Sequence, residues 1–402
     1  MANSTNIPAY PIPRSCPMHP PDNYDRMRRE RPVTEIRLWD GSVAWLATGY
    51  DVVRQLLSDP RLGNVPATPG YPAIAESRAA MLRAETNNFA FMDDPEHGRF
   101  RAMLAKMFTV KQIEKLRPTV ENIVRQLLDD MERKGPPADL MQSYSLALPS
   151  LVISALLGVP YEDHEFFQEC ARARVSLHGD PAVSANAGRL IWEYMDRLLA
   201  AREIEQGDDL LSRLYLEQVK PGHLARADAI GMARALLLAG HDTTATQISA
   251  GVLTLLLHPD QLAEIKADPG LWRDAVEEIL RFFTITQHNA PRVALADIDI
   301  AGVTIKAGQG VIASLAAANR DPAVFEDPGR FDIHRQADHH VAFAYGVHQC
   351  LGHALARLEL EIAFRRLFER FPGLALAVPF DELPFKVESL TYGVERLPVK
   401  WS

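Results

Sequence analysis

Cysteine is scarce in this chain of 402 residues, with Cys16, Cys170 and Cys350 the whole supply. Three scattered thiols do not build a disulfide framework, which points to free cysteines in a reducing compartment. A basic excess is missing too: 43 Lys and Arg face 52 Asp and Glu, for a formal net charge of −9. That balance argues against a general nucleic-acid binder, which neutralises phosphates with surplus cations. No clean apolar run of membrane-spanning length is present. Residues 1–21 are a polar, proline-rich arm, and the most apolar stretch, 235–257, carries His241, Asp242, Thr243, Thr244 and Gln247 in its middle. Such groups are costly in lipid, so the stretch reads as a buried core helix of a cytoplasmic protein, expected to be a monomer. A Gly-x-Gly-x-x-Gly dinucleotide fingerprint after a strand is also lacking, which argues against a nicotinamide- or flavin-binding Rossmann unit in this chain.

What the chain does have is apolar bulk: 47% of its residues are hydrophobic, enough for a large core. No Gly/Ser-rich or charged linker divides it, so 1–402 reads as a single domain. Segments 33–38 and 43–48 flank Asp40-Gly41 as a hairpin, followed by a short helix over 51–57. Residues 61–88 read as a long loop. Helical periodicity then covers 100–108, 110–133, 146–157, 162–174, 185–202 and 208–218, and a long helix capped by Asp228 runs to 257. Helices over 271–283 and 351–370 enclose a strand-rich region, giving a mainly α fold with small β-sheets.

Three motifs carry chemistry. In 343–352, Cys350 lies between Gly346 and Gly352 at the mouth of a helix. Glycines let backbone turn tightly around a sulfur, and amides at a helix start favour thiolate over thiol, which suits a single thiolate ligand to iron. An ordinary buried cysteine is the competing reading of Cys350 taken alone. Glu278 and Arg281 lie three apart on one helix face and can pair, although a solvated surface pair is the alternative. Asp242 and Thr243 sit in the middle of the long apolar helix, where unpaired polar groups are expensive. The plain alternative is that Thr243 bonds back to its own helix and Asp242 pairs with an arginine.

Together these motifs resemble the cytochrome P450 family, and the cysteine loop fits the signature Phe-x-x-Gly-x-[basic]-x-Cys-x-Gly through Phe343, Gly346, His348, Cys350 and Gly352. The closest flavour is the soluble bacterial, actinomycete type. The resemblance implies haem b held between the long central helix and the Cys-loop helix, with Cys350 as iron ligand. It implies propionate contacts from His97, Arg101, Arg292 and His348, and a brace of Glu278 and Arg281 completed by Arg330, with Arg335 the second choice for third member. Ala239 and Gly240 would open a helix groove for dioxygen, Thr243 would hydrogen-bond the bound oxygen and Asp242 would relay protons. Leu236, Gln287, His288, Asn289 and Thr391 would line the substrate pocket.

The implied activity is monooxygenation of a mid-sized natural product or foreign compound; the alternative is nitric oxide reduction on the same fold, suggested by the stretch 38–46. The implied electron donors are a ferredoxin and its reductase. An acidic donor would dock on a basic patch of Arg99, Lys106, Arg357, Arg365 and Arg366. Cys16 with His19, and the pair His339-His340, read as structural or solvated residues.

Overall fold

A computed structural model of the chain describes residues 7–84, 88–163, 166–167, 169–170, 173, 180–286, 290–387 and 389–402. Its axis is the helix Arg226–Leu257, with 32 residues. At about 1.5 Å per residue this element is roughly 48 Å long. Most of its side chains, polar ones among them, are buried, so it packs in the core rather than on the surface. Against it lie the helices Ala147–Leu157, Pro181–Ile204, Trp272–Phe282 and His353–Arg370. Buried polar groups on the central helix find partners within this packing. Ser249 Oγ donates to Ser145 Oγ at 2.8 Å, and Thr254 Oγ1 to the Ala250 carbonyl at 2.8 Å. Among the described residues no helix is long and apolar enough to cross a membrane.

Among the described residues ten short strands form three small sheets. They are β1 (Val33–Arg37), β2 (Val43–Ala47), β3 (Leu62–Gly63), β4 (Ala138–Asp139), β5 (Pro291–Ala294), β6 (Ile298–Ile300), β7 (Val303–Ile305), β8 (Gly310–Ala313), β9 (Ala375–Leu376) and β10 (Pro398–Lys400). The largest sheet has the order β1-β2-β8-β5-β3. Its β1/β2 pair is the expected hairpin, with Glu35 opposite Trp45, and β8 joins β2 in parallel. Strand β5 runs antiparallel to β8 with Arg292 opposite Val311, which carries Arg292 from the sheet into the interior.

The structure departs from the sequence expectations in several places. The segment expected to be a loop over 61–88 contains β3 and a helix, Glu76–Ala84, whose alanines favour helix although its apolar residues form no clear stripe. The helix expected over 110–133 is two, Val110–Glu114 and Arg117–Lys134, the second with Pro118 in its first turn where a missing N–H costs nothing. The segment 208–218 is a short helix, Leu210–Leu214, continued by a π-helical turn, Tyr215–Val219. Asp228 does not cap the central helix. Ala225 occupies the cap position, and Asp228 sits inside the first turn, where its charge still complements the helix dipole. Most of the helix expected over 162–174 lies outside the described residues.

Candidate active site

The cysteine loop closes on itself before entering the helix His353–Arg370. The Cys350 N–H donates to the Phe343 carbonyl at 2.9 Å, and the Gln349 N–H to the Gly346 carbonyl at 3.0 Å. Gly346 has φ +74°, and a Cβ there would stand 2.3 Å from the Leu57 carbonyl oxygen, so no larger residue fits without moving backbone. At Gly352 a Cβ would meet no chain atom within 4 Å. Burial pushes the Cys350 thiol up, against the Gly352 amide and the charges of Arg101 and Arg357, which favour thiolate. Desolvation therefore outweighs the amides in the chain alone, contrary to the expectation from the glycine-framed turn. The Cys350 side chain is nevertheless accessible, the combination found at the floor of a recess.

Four basic residues converge beside this loop. Arg101 Nη2 donates to the Gln349 carbonyl at 2.7 Å, tying the helix Glu96–Ala105 to the loop. The rings of His97 and His348 are 4.0 Å apart at 34°. Arg292, buried on β5, donates to Asn64 Oδ1 at 2.9 Å. Burial, and then the charge of Arg101, lower the His97 pKa; burial, followed by Arg292, His97 and Arg101, lowers that of His348 to about 3. Both imidazoles are thus neutral near pH 7, and Arg101 and Arg292 carry the charge. His97 Nδ1 lies buried, 3.4 Å from the Asp94 carboxylate, without hydrogen-bond geometry.

In the middle of the buried central helix one stripe is accessible. Ala239 is exposed, and Gly240 and Thr243 are partly so. Ala239 and Thr243 are one helical turn apart and share a face. Thr243 Oγ1 donates to the Ala239 carbonyl at 2.7 Å, so the plain reading of this hydroxyl describes its bond. With its proton engaged there, Thr243 keeps lone pairs free and can act as an acceptor. The helix is continuous through Gly240, where an added Cβ would make ordinary contact with Ile153 at 3.7 Å. The accessible notch is lined by the small residues Ala239, Gly240 and Thr243. Asp242 pairs not with an arginine but with Lys386 Nζ, at 3.2 Å, and accepts from Thr391 Oγ1 at 2.5 Å.

Behind the loop, Glu278 and Arg281 are fully buried. Arg281 Nε and Nη2 each donate to the Glu278 carboxylate at 2.7 Å, and Nη1 to the carbonyls of Asn319 and Pro328 at 2.9 and 3.0 Å. Their expected third partner is corrected. The Arg330 side chain is 66% exposed and points to Asp332 at 3.8 Å, contributing only its carbonyl, which accepts from Arg281 at 3.2 Å. Arg335 supplies the guanidinium, 3.3 Å from Glu278.

A second cluster escaped the sequence reading. Arg357 Nε and Nη2 grip Glu277 at 2.6 and 2.9 Å, and its guanidinium lies 4.7 Å over the Phe343 ring. His340 is buried rather than solvated, 3.2 Å from the same carboxylate. Although burial alone would raise Glu277, the adjacent His340 ring and the hydrogen bonds and charge of Arg357 hold it near 2. The pocket residues expected at Gln287, His288 and Asn289 lie outside the described residues. Leu236 is buried in the core, 8% exposed.

Residues 271–379 match the family model described as Cytochrome P450. The chain is 47% identical over 393 residues to pentalenic acid synthase of Streptomyces avermitilis, covering 98% of this chain and 97% of that one. The chain is a cytochrome P450. Vitamin D3 dihydroxylase of Streptomyces griseolus is 44% identical, with 99% of this chain and 98% of that one covered. Among solved structures, a cytochrome P450 from Nonomuraea recticatena superimposes with a TM-score of 0.92 at 44% identity, covering 98% of each chain. The mycinamicin VIII C21 methyl hydroxylase of Micromonospora griseorubida, solved with mycinamicin VIII bound, gives 0.91 at 38% identity over 98% of this chain and 100% of that one. This P450 is of the actinomycete type and is a monooxygenase. The nitric oxide reductase alternative finds no support in these relatives.

The residues fit the haem-thiolate group that the family implies. An accessible thiol, two guanidinium groups and the orphaned Nδ1 of His97 form a donor set suited to iron and two carboxylates. Cys350 would ligate the iron, and Arg101, Arg292, His97 and His348 would hold the propionates. When bound, haem supplies dioxygen binding and activation, with the thiolate promoting O–O cleavage.

Proposed function

We propose that this P450 carries haem b and hydroxylates or otherwise oxidises a mid-sized natural product or foreign compound. Its electrons come singly from a ferredoxin fed by a reductase. The balance is RH + O₂ + 2 e⁻ + 2 H⁺ → ROH + H₂O, so the protein has to admit two protons while keeping bulk water from the reacting oxygen. The observation that carries this reading is the accessible stripe Ala239–Thr243 on an otherwise buried helix, with the buried carboxylate of Asp242 next to it in sequence. Asp242 is the proton carrier and Thr243 the acceptor that holds the reacting oxygen in place. Relatives named for pentalenic acid, vitamin D3 and a mycaminosyltylactone support a hydrophobic scaffold bearing a few polar groups as substrate.

The donor would approach the cysteine side, but the cationic surface is smaller than the sequence suggests. Arg357 is paired with Glu277, and Arg365 and Arg366 share Glu121 at 2.8 and 2.6 Å. Arg99 and Lys106 remain exposed, with no ion pair to any described residue, so docking rests on them and on the exposed Val347 of the cysteine loop. The enzyme acts as a cytoplasmic monomer of one haem domain.

The test is a panel of terpenoids, secosteroids and macrolides scored by the shift of the ferric haem spectrum, then turned over with ferredoxin, reductase and labelled dioxygen. One labelled oxygen in the product is expected. Thr243→Ala should retain substrate binding while sending most electrons to hydrogen peroxide. Direct reduction of a nitric oxide complex by NADH, without oxygenation of any compound, would overturn the reading.

A further inference from the structure

The carboxylate of Asp242 is held by residues far from it in sequence. Residues Phe385 and Val394 close a C-terminal hairpin, and the Lys386 N–H donates to the Gly393 carbonyl at 2.7 Å. From one arm Lys386 Nζ reaches Asp242 Oδ1 at 3.2 Å and Thr246 Oγ1 at 3.1 Å. From the other arm the buried Thr391 hydroxyl donates to Asp242 Oδ2 at 2.5 Å. The hairpin can approach this closely because residue 393 is glycine: a Cβ there would stand 2.5 Å from Thr246 Cγ2. Side-chain exposures of 17% for Lys386 and 11% for Asp242 leave little room for solvent to replace either contact. Thr391 is also bridged to Thr286, and the Tyr392 N–H donates to the Ile285 carbonyl at 2.9 Å, so the hairpin is anchored on a second side.

We propose that Lys386 and Thr391 are positioning residues that orient Asp242 for proton delivery. Each carboxylate oxygen accepts from a different arm of the hairpin, so the plane of the carboxylate is set by the hairpin rather than by the helix that carries it. Lys386 also orients Thr246, one turn along the same helix from Asp242. For Asp242 to take up and pass on a proton, one of these two contacts has to open and close again in each cycle. The assignment rests on the reading of Asp242 as the proton carrier, and Thr391 acts here through its hydroxyl rather than as the pocket wall its sequence position suggests.

The test needs no known substrate. Haem-loaded enzyme driven by a plant-type ferredoxin and its NADPH reductase reduces dioxygen either to peroxide, with two electrons and two protons, or to two waters, with four of each. Proton delivery favours water. Lys386→Met and Thr391→Val should each raise the peroxide formed per NADPH and enlarge the solvent isotope effect on oxygen uptake, with the water-forming flux falling about threefold to tenfold. Lys386→Arg should retain most of the wild-type ratio, and the ferrous carbon monoxide spectrum should keep its thiolate form in all variants. Asp242→Asn separates the two levels of the argument. If it leaves the ratio and isotope effect unchanged, Asp242 is not the carrier and the proposed relay falls. If it changes them while Lys386→Met, Thr391→Val and their double variant do not, the positioning role falls and the hairpin contacts are structural.

Discussion

Arg330 and Arg335 compete for one role, and the structure makes their removal unequal. Arg335→Ala deletes the 3.3 Å contact to Glu278 and donors to the carbonyls of Glu326, Asp327 and Arg330. Glu278 keeps Arg281 and the Asp332 amide, so the carboxylate is weakened rather than orphaned. Loss of a hydrogen bond to a charged group costs about 1.5–3 kcal/mol, and solvent restores little because the Arg335 side chain is 12% exposed. Arg330→Ala removes a side chain that is 66% exposed and 3.8 Å from Asp332, a change of about 0.5 kcal/mol or less.

At about 2.1 cal/mol/K per residue, a loss of about 2 kcal/mol lowers the melting point of a chain of 402 residues by only about 2 °C. Guanidinium unfolding is the better assay, run at matched haem occupancy because bound ligand adds to apparent stability. The midpoint of Arg335→Ala should fall clearly below that of Arg330→Ala. If Arg330→Ala were as damaging or worse, the brace would be the one suggested by the sequence and the geometry described above would be wrong.

The parts of the site that could be read in the sequence are those whose partners are close along the chain. Cys350 and its glycines fall within seven consecutive residues, and Glu278 and Arg281 are one helical turn apart. The brace then recruits its third member across a loop, where two arginines five residues apart both have the reach, and only the direction of the turn decides between them. Lys386 was invisible for the same reason, since 144 residues separate it from Asp242. His340 and Arg357 were misplaced because charge alone suggested solvent. In the fold Glu277, on the brace helix, gives both a buried anion to face. Local periodicity thus finds the helices and the cysteine turn. The buried polar groups are paired between segments, and pairing leaves no period. The helix Glu76–Ala84 shows the converse limit, a true helix whose face carries too little contrast to be seen.

Two further perturbations test how the cysteine loop and its basic neighbours are built. Gly346→Ala places a Cβ against the Leu57 carbonyl at positive φ, so the backbone term alone costs about 1–3 kcal/mol and the clash adds to it. Gly352→Ala meets no chain atom and should leave the stability of the haem-free chain unchanged; equal losses in the two variants, measured by denaturant midpoint, would refute the steric argument. For His348 the sign follows from its folded pKa of about 3 against 6.5 for the unfolded ring. Between those values the unfolded chain binds a proton that the folded chain does not, so stability rises with pH and is lost as pH falls below 6.5. The slope from this group is at most about 1.4 kcal/mol per pH unit. His348→Gln should flatten the pH dependence of the haem-free chain's denaturant midpoint on the acid side of neutrality, with His97 supplying a slope of the same sign. An unchanged slope in the variant would mean that the ring is not desolvated among Arg292, His97 and Arg101, and the converging basic cluster would lose its strongest support.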